Sequence, residues 1–148
     1  MPLRARMAAS HGWCAAFPSD EWLTNLSYSI VPVTSGREVW LVEAGEGCAR
    51  GGQGSNGAMW LIRFDGGKPV LLASPEEDFG GYLYSIQDTR SHGYKDLVLG
   101  WHMSANEADL TYFRFDGRTY HLIATATCEF DESGVARITP DLRPKRYR

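Results

Sequence analysis

The sequence predicts an all-β domain made of two four-stranded antiparallel meanders, and three observations predict it. A fourteen-residue stretch recurs, apolar residues alternate with a period of two beside Asp-Gly pairs, and glycine and proline are scattered between short apolar runs. The repeat is the strongest of the three. Residues 60–73 read WLIRFDGGKPVLLA and residues 111–124 read TYFRFDGRTYHLIA, with six identities: Arg63, Phe64, Asp65, Gly66, Leu71 and Ala73 against Arg114, Phe115, Asp116, Gly117, Leu122 and Ala124.

Each copy is predicted to be a β-hairpin. Asp-Gly is among the strongest short hairpin signals, because a type I′ turn requires positive φ at its two central residues. Apolar runs flank it on both sides, Leu61–Phe64 and Val70–Ala73 in the first copy. A strand is expected before each hairpin, at Glu38–Glu43 and at Asp96–Trp101, and another before each of those, at Ser27–Val33 and Tyr82–Gln87. Unit one therefore covers about 27–73 and unit two about 82–126. Val135–Thr139 supplies a ninth strand. The best helix signal is one short N-terminal segment, Ser19–Leu26. There Ser19 can cap, Asp20 and Glu21 suit the positive end of the dipole, and Trp22, Leu23 and Leu26 share a face.

Composition bounds what this domain does. The chain has 148 residues, one domain's worth, with 43% hydrophobic and 22% charged residues. Fifteen Lys+Arg against eighteen Asp+Glu leave a formal charge of −3, which disfavours nucleic acid as a partner. No apolar run reaches the roughly twenty residues of a membrane helix. Residues 1–10 lack the apolar centre of a signal peptide, so the expectation is a cytoplasmic chain or one from which a leader has been removed. The basic tail over about 140–148 is expected to be a solvated end, or an arm for an acidic partner or anionic lipid.

Cys14, Cys48 and Cys128 match no zinc spacing, and no metal or cofactor is expected. A Cys14–Cys128 disulfide would tie the N-terminal segment to the last strand pair. Three reduced thiols is the alternative.

The second-to-third-strand connections of both units should emerge at one edge. In unit one this is the glycine-rich loop Ala44–Gly57, carrying Cys48, Arg50, Gln53 and Asn56. A phosphate-cradling loop needs Gly-Lys-Ser/Thr opening a helix, whereas Gly57 opens an apolar strand. In unit two it is His102, Met103, Ser104, Ala105, Asn106 and Glu107, with Trp101 beside it as an aromatic anchor. Loops on a rigid scaffold carry function more often than strands do. His102, Ser104 and Glu107 lie within six positions on one loop and cannot easily converge as nucleophile, base and orienter. A non-catalytic contact surface is therefore expected. The alternatives are a small hydrolase in which distant groups such as Glu107 and Asp78 converge, and a structural domain that self-associates through its sheet edges.

Gly93-Tyr-Lys-Asp-Leu-Val-Leu-Gly100, followed by Tyr112-Phe-Arg-Phe-Asp-Gly-Arg-Thr-Tyr120, resembles the blade repeats of bacterial β-propeller-type proteins over roughly 36–126. The Asp-x-Asp-x-Asp-Gly loop of calcium-binding versions is missing, so calcium is not implied. More loosely, the chain is similar to propeller-like immunity proteins that block peptidoglycan amidase toxins delivered by type VI secretion. That resemblance implies an envelope protein, periplasmic or extracellular, with an inter-strand loop inserted into a partner enzyme's cleft.

Overall fold

The computed structural model describes residues 26–44 and 56–142. The expected helix before Leu26, together with Cys14, Cys48, Arg50 and Gln53, lies outside these residues. The described chain forms one antiparallel sheet of nine strands. They are β1 Ser27–Ile30, β2 Val39–Glu43, β3 Gly57–Asp65, β4 Lys68–Ala73, β5 Gly80–Ser91, β6 Tyr94–Ser104, β7 Glu107–Phe115, β8 Tyr120–Phe130 and β9 Ala136–Thr139. A single 3-10 turn, Pro75–Glu77, separates β4 from β5. Among the described residues no helix is long and apolar enough to cross a membrane.

The strands follow one another in meander order, with one fork. β4 pairs with the second half of β3, while β5 takes the start of the same edge through Gly57↔Gly81 and Ala58↔Gly80. Between them the chain leaves the sheet, and Asp78 takes a left-handed conformation at φ 63°. This excursion drives Phe79, fully buried, edge-on against Phe113 at 5.2 Å.

β1 ends earlier than its apolar letters suggest. Pro32 has no N–H to give a ladder, so pairing stops at Ile30. Val31 and Val33 are nonetheless buried, and the Val33 carbonyl accepts from the Lys95 N–H at 2.8 Å, which ties the first half of the sheet to β6.

The main core lies between the two halves. Val39, Leu41, Met59 and Leu61 come from the first, and Leu97, Leu99, Phe113 and Phe115 from the second. Each such side chain contributes about 1.5–3 kcal/mol by leaving water. A second cluster, around Val98, Leu110, Tyr112 and Cys128, occupies the opposite face of β6–β8.

The two hairpins share a register. In the first, Leu61 pairs with Ala73 and Ile62 with Leu71, so Leu72 is bulged. In the second, Tyr112 pairs with Ala124 and Phe113 with Leu122, so Ile123 is bulged. These are matching positions of the sequence repeat. The match also extends to the first strands: Ile30 pairs with Trp40 and Ile86 with Leu97, which aligns Ser29-Ile30 with Ser85-Ile86, while Tyr84 is bulged and Leu83 takes the place of Tyr28.

The turns differ in detail from the expectation. In the first hairpin Asp65 pairs with Lys68, so the central residues are Gly66 and Gly67, at φ 56° and 82°. The positive-φ requirement falls on Gly-Gly rather than Asp-Gly. In the second, only Gly117 is left-handed, and Asp116 holds the bend by accepting from the N–H groups of Arg118 at 2.7 Å and Thr119 at 2.8 Å. The Asp116 carboxylate also meets His121 Nε2 at 2.6 Å.

Those donors hold Asp116 down at about 2, the backbone N–H groups of Thr119 and Arg118 contributing most. A carboxylate depressed in the folded chain stabilises it above the ordinary carboxylate range, and that stabilisation is lost as pH falls through about 2. Asp116→Asn is expected to lower the melting temperature near neutral pH. Its gap from the parent chain should narrow as the pH drops below 4 toward 2. A pH-independent gap in thermal melts would show that the bend does not depend on this charge.

Candidate functional site

The 102–107 segment, expected as a loop, is mostly strand. Trp101 pairs with Asp109, His102 with Ala108 and Ser104 with Glu107, so β6 and β7 run almost to the tip. Only Ala105 and Asn106 form the turn. The letters His-Met-Ser carry no apolar alternation and so look like loop, yet the ladder's backbone bonds need none. Met103 is the residue left out of pairing by a bulge between His102 and Ser104, and its side chain is 53% exposed. Ser104 Oγ accepts from the Asn106 N–H at 3.3 Å, and the Asn106 carbonyl accepts from the Phe130 N–H at 2.8 Å. The tip is thereby held to β8.

Asn56 ties the base of this strand pair to the first half of the sheet. Its Nδ2 donates to the His102 carbonyl at 2.9 Å, and its Oδ1 accepts from the His102 N–H at 2.8 Å. The side-chain amide thus satisfies both backbone groups of one strand residue, as a neighbouring strand would. Asn56 is 2% exposed, so it is buried and satisfied rather than presented to a partner. Of the glycine-rich connection, only its end at Asn56 and Gly57 lies within the described residues together with Ala44, and Asn56 contacts the 102–107 segment.

His102 is also held from the side. Its ring stacks on Tyr82 at 4.5 Å between centroids and 22° between planes. The Tyr82 ring lies across Gly100, its cross-strand partner, where a Cβ would strike it. Burial pushes the Tyr82 hydroxyl up, with the nearby Cys128 thiol adding to it. On the other face Trp101 lies over Gly80 and Gly81, with ring carbons 3.7 and 3.3 Å from where their Cβ atoms would sit. Trp101, expected as a free anchor, is thus half-buried packing. The fully offered residues are Met103, Ser104, Ala105 and Asn106, with Glu107 half-buried opposite Glu129.

Cys128 is a free thiol and fully buried, and Cys14, its expected partner, lies outside the described residues. It sits on the second apolar cluster, beside Tyr84, whose hydroxyl is pushed up by burial first and by this thiol second.

The polar pairs of the repeat are structural and lie away from the β6–β7 turn. Asp96, 4% exposed, takes Arg114 Nη2 at 2.8 Å and the Thr89 hydroxyl at 2.7 Å. Arg63 forks onto Asp65 at 2.8 Å for both bonds and reaches the Tyr94 hydroxyl at 3.0 Å. That fork holds the Asp65 carboxyl below its ordinary value, with Arg37 adding a 2.7 Å contact. Thr119 Oγ1 and Asp116 Oδ2 both meet the same nitrogen of His121, so the three do not form a relay from hydroxyl through imidazole to carboxylate. Among the described residues no group of three His, Cys, Asp or Glu side chains is arranged to hold a metal ion.

Sequence reasoning missed the roles of Asn56 and Tyr82. The only signal for Tyr82 was a tyrosine beside a glycine-rich stretch, and nothing in the letters links Asn56 to a residue 46 positions away. No known protein family, characterised protein or solved structure matches this chain.

Proposed function

We propose that the chain is a non-catalytic binding module of the bacterial envelope. It is an inhibitor or immunity-type protein that enters a partner enzyme's cleft with the β6–β7 turn. The observation that carries this reading is the β6–β7 turn: Met103, Ser104, Ala105 and Asn106 are exposed at the end of the sheet, held to β8 and braced behind by Asn56 and the Tyr82 ring. A pre-ordered turn loses little conformational entropy on docking, which favours affinity. A cell-wall amidase is the partner class we favour, acting in the periplasm or outside the cell.

The same reading takes the fold as a duplicated four-stranded unit, β1–β4 followed by β5–β8. The coincident bulges of the hairpins and the aligned Ser29-Ile30 and Ser85-Ile86 pairs support it.

The test is inhibition of a purified cell-wall amidase, measured as release of peptide from peptidoglycan. The wild-type chain is expected to inhibit. Joint alanine replacement of Met103, Ser104 and Asn106 should weaken inhibition at least ~10-fold, equivalent to about 1.4 kcal/mol of binding. Unchanged inhibition by the triple variant, or no inhibition by the parent, removes the turn from the mechanism.

A further inference from the structure

The first half of the sheet buries side chains on both of its faces. Val39, Leu41, Met59 and Leu61 turn into the main core. Their neighbours along the same strands, Trp40, Val42, Trp60 and Ile62, lie on the other face, because successive side chains of a strand alternate. The register sets them side by side: Val42 pairs with Trp60, Trp40 with Ile62, and Ile62 with Leu71. Trp60 is fully buried, Val42 is 1% exposed, Ile62 4% and Leu71 7%. None of these four belongs to either described core cluster. Neighbours within one sheet close a side chain from its flanks only, so a buried face needs a layer above it.

Three stretches of the chain lie beyond the described residues, and their composition selects one of them. Residues 45–55 read GEGCARGGQGS and hold no large apolar side chain. Residues 143–148 read RPKRYR, four cations and one aromatic, and follow β9 at the opposite end of the strand order. Residues 1–25 hold Trp13, Phe17, Trp22 and Leu23. They also lead directly into β1, where Tyr28 pairs with Val42 and Ile30 with Trp40. From β1 to β3 is two strand spacings, about 10 Å, and four extended residues reach about 14 Å. Trp22 and Leu23 are thus within reach of Val42 and Trp60.

We infer that this face is the docking site of the chain's own N-terminal stretch, with Trp22 and Leu23 seated on Val42, Trp60, Ile62 and Leu71. Tyr28 and Ile30 stay exposed at the rim because the contact falls on β2–β4.

The test places the photoreactive residue p-benzoylphenylalanine at position 22 of the full chain and maps its cross-links by mass spectrometry. Cross-links within one chain are expected, at Val42, Trp60, Ile62 or Leu71. Cross-links to β8 or β9, cross-links between two chains, or none at all overturn the inference. A second measurement reads the cover itself. The Trp22→Asp, Leu23→Asp variant should bind an apolar-surface dye several-fold more strongly than the wild type and melt at least ~5 °C lower. Ile123→Asp, at an exposed position, is the control and should change neither. Wild-type dye binding and melting in the double variant overturn the inference. If that variant loses its strand circular dichroism, the cross-linking experiment decides, because it keeps an aromatic side chain at position 22.

Discussion

Gly81→Ala should destabilise the chain by about 3–5 kcal/mol, lowering the melting temperature by roughly 10–15 °C for a domain of this size. Gly81 sits where β5 passes from β3 to β6, at φ 95°, a conformation that side chains other than hydrogen rarely adopt. The strain alone costs about 1–3 kcal/mol. A Cβ there would also meet the Gly100 carbonyl oxygen, a backbone atom of the neighbouring strand that no rotamer change can move. Trp101 closes the remaining side. Gly93→Ala is the control. Gly93 has φ 80° but nothing within 4 Å of its would-be Cβ, so it isolates the strain from the clash and should cost about 1 kcal/mol. Gly100→Ala is intermediate, because the obstacle there is the Tyr82 ring, which can swing away at the expense of its stack on His102. Equal losses for Gly81→Ala and Gly93→Ala in denaturant titration would refute the close approach of β5 to β6.

Asn56→Ala should cost about 2–5 kcal/mol, because it strands the His102 N–H and carbonyl together in a buried setting. The cost should appear twice: in overall stability, and as faster amide exchange at His102. Asn56→Asp sharpens the test through its pH dependence. The carboxylate keeps the acceptor for the His102 N–H but loses the donor, and it faces the His102 carbonyl oxygen. Protonation restores a donor, so the folded chain should bind that proton more tightly than the unfolded one. Stability relative to Asn56→Ala is therefore expected to be greatest at low pH and to fall as pH rises through the raised carboxyl value. A gap that does not change with pH would mean the amide does not bridge the two halves as described.

How much of this was legible in the sequence differs from element to element. The hairpins at 60–73 and 111–124 were readable because a period of two, a repeat and turn glycines all agree, and local agreement of that kind is what specifies a strand pair. The extents of β5, β6 and β8 were not. β5 hides behind a bulge at Tyr84, and the end of β6 is polar strand whose pairing is entirely backbone. The Tyr-Ser-Ile triplets at 28–30 and 84–86 are present in the letters. Their spacing differs from that of the hairpins, and the register brings Ser29-Ile30 into line with Ser85-Ile86 while Tyr84 stands out as a bulge. At the candidate site, the sequence read 102–107 as a loop with Trp101 as its anchor, whereas the register makes most of it strand, with Trp101 and His102 half-buried. Both are drawn into packing, against Gly80, Gly81 and Tyr82.

The sequence by itself determined the all-β class, the position of each strand to within a few residues and the existence of two like hairpins. These rest on period, turn chemistry and repetition, which act over a few neighbours along the chain. Only the tertiary structure decided that the strands join in one sheet and that Asn56 and Tyr82 brace the end of the β6–β7 pair. Each of those depends on which face of a strand meets which other strand, and a motif of fixed letters is compatible with either face. The clearest case is Arg63 and Arg114, one residue type at one repeat position. Arg63 serves Asp65 on its own strand, and Arg114 serves Asp96 across the ladder, because β2 offers Val39 where β6 offers that carboxylate.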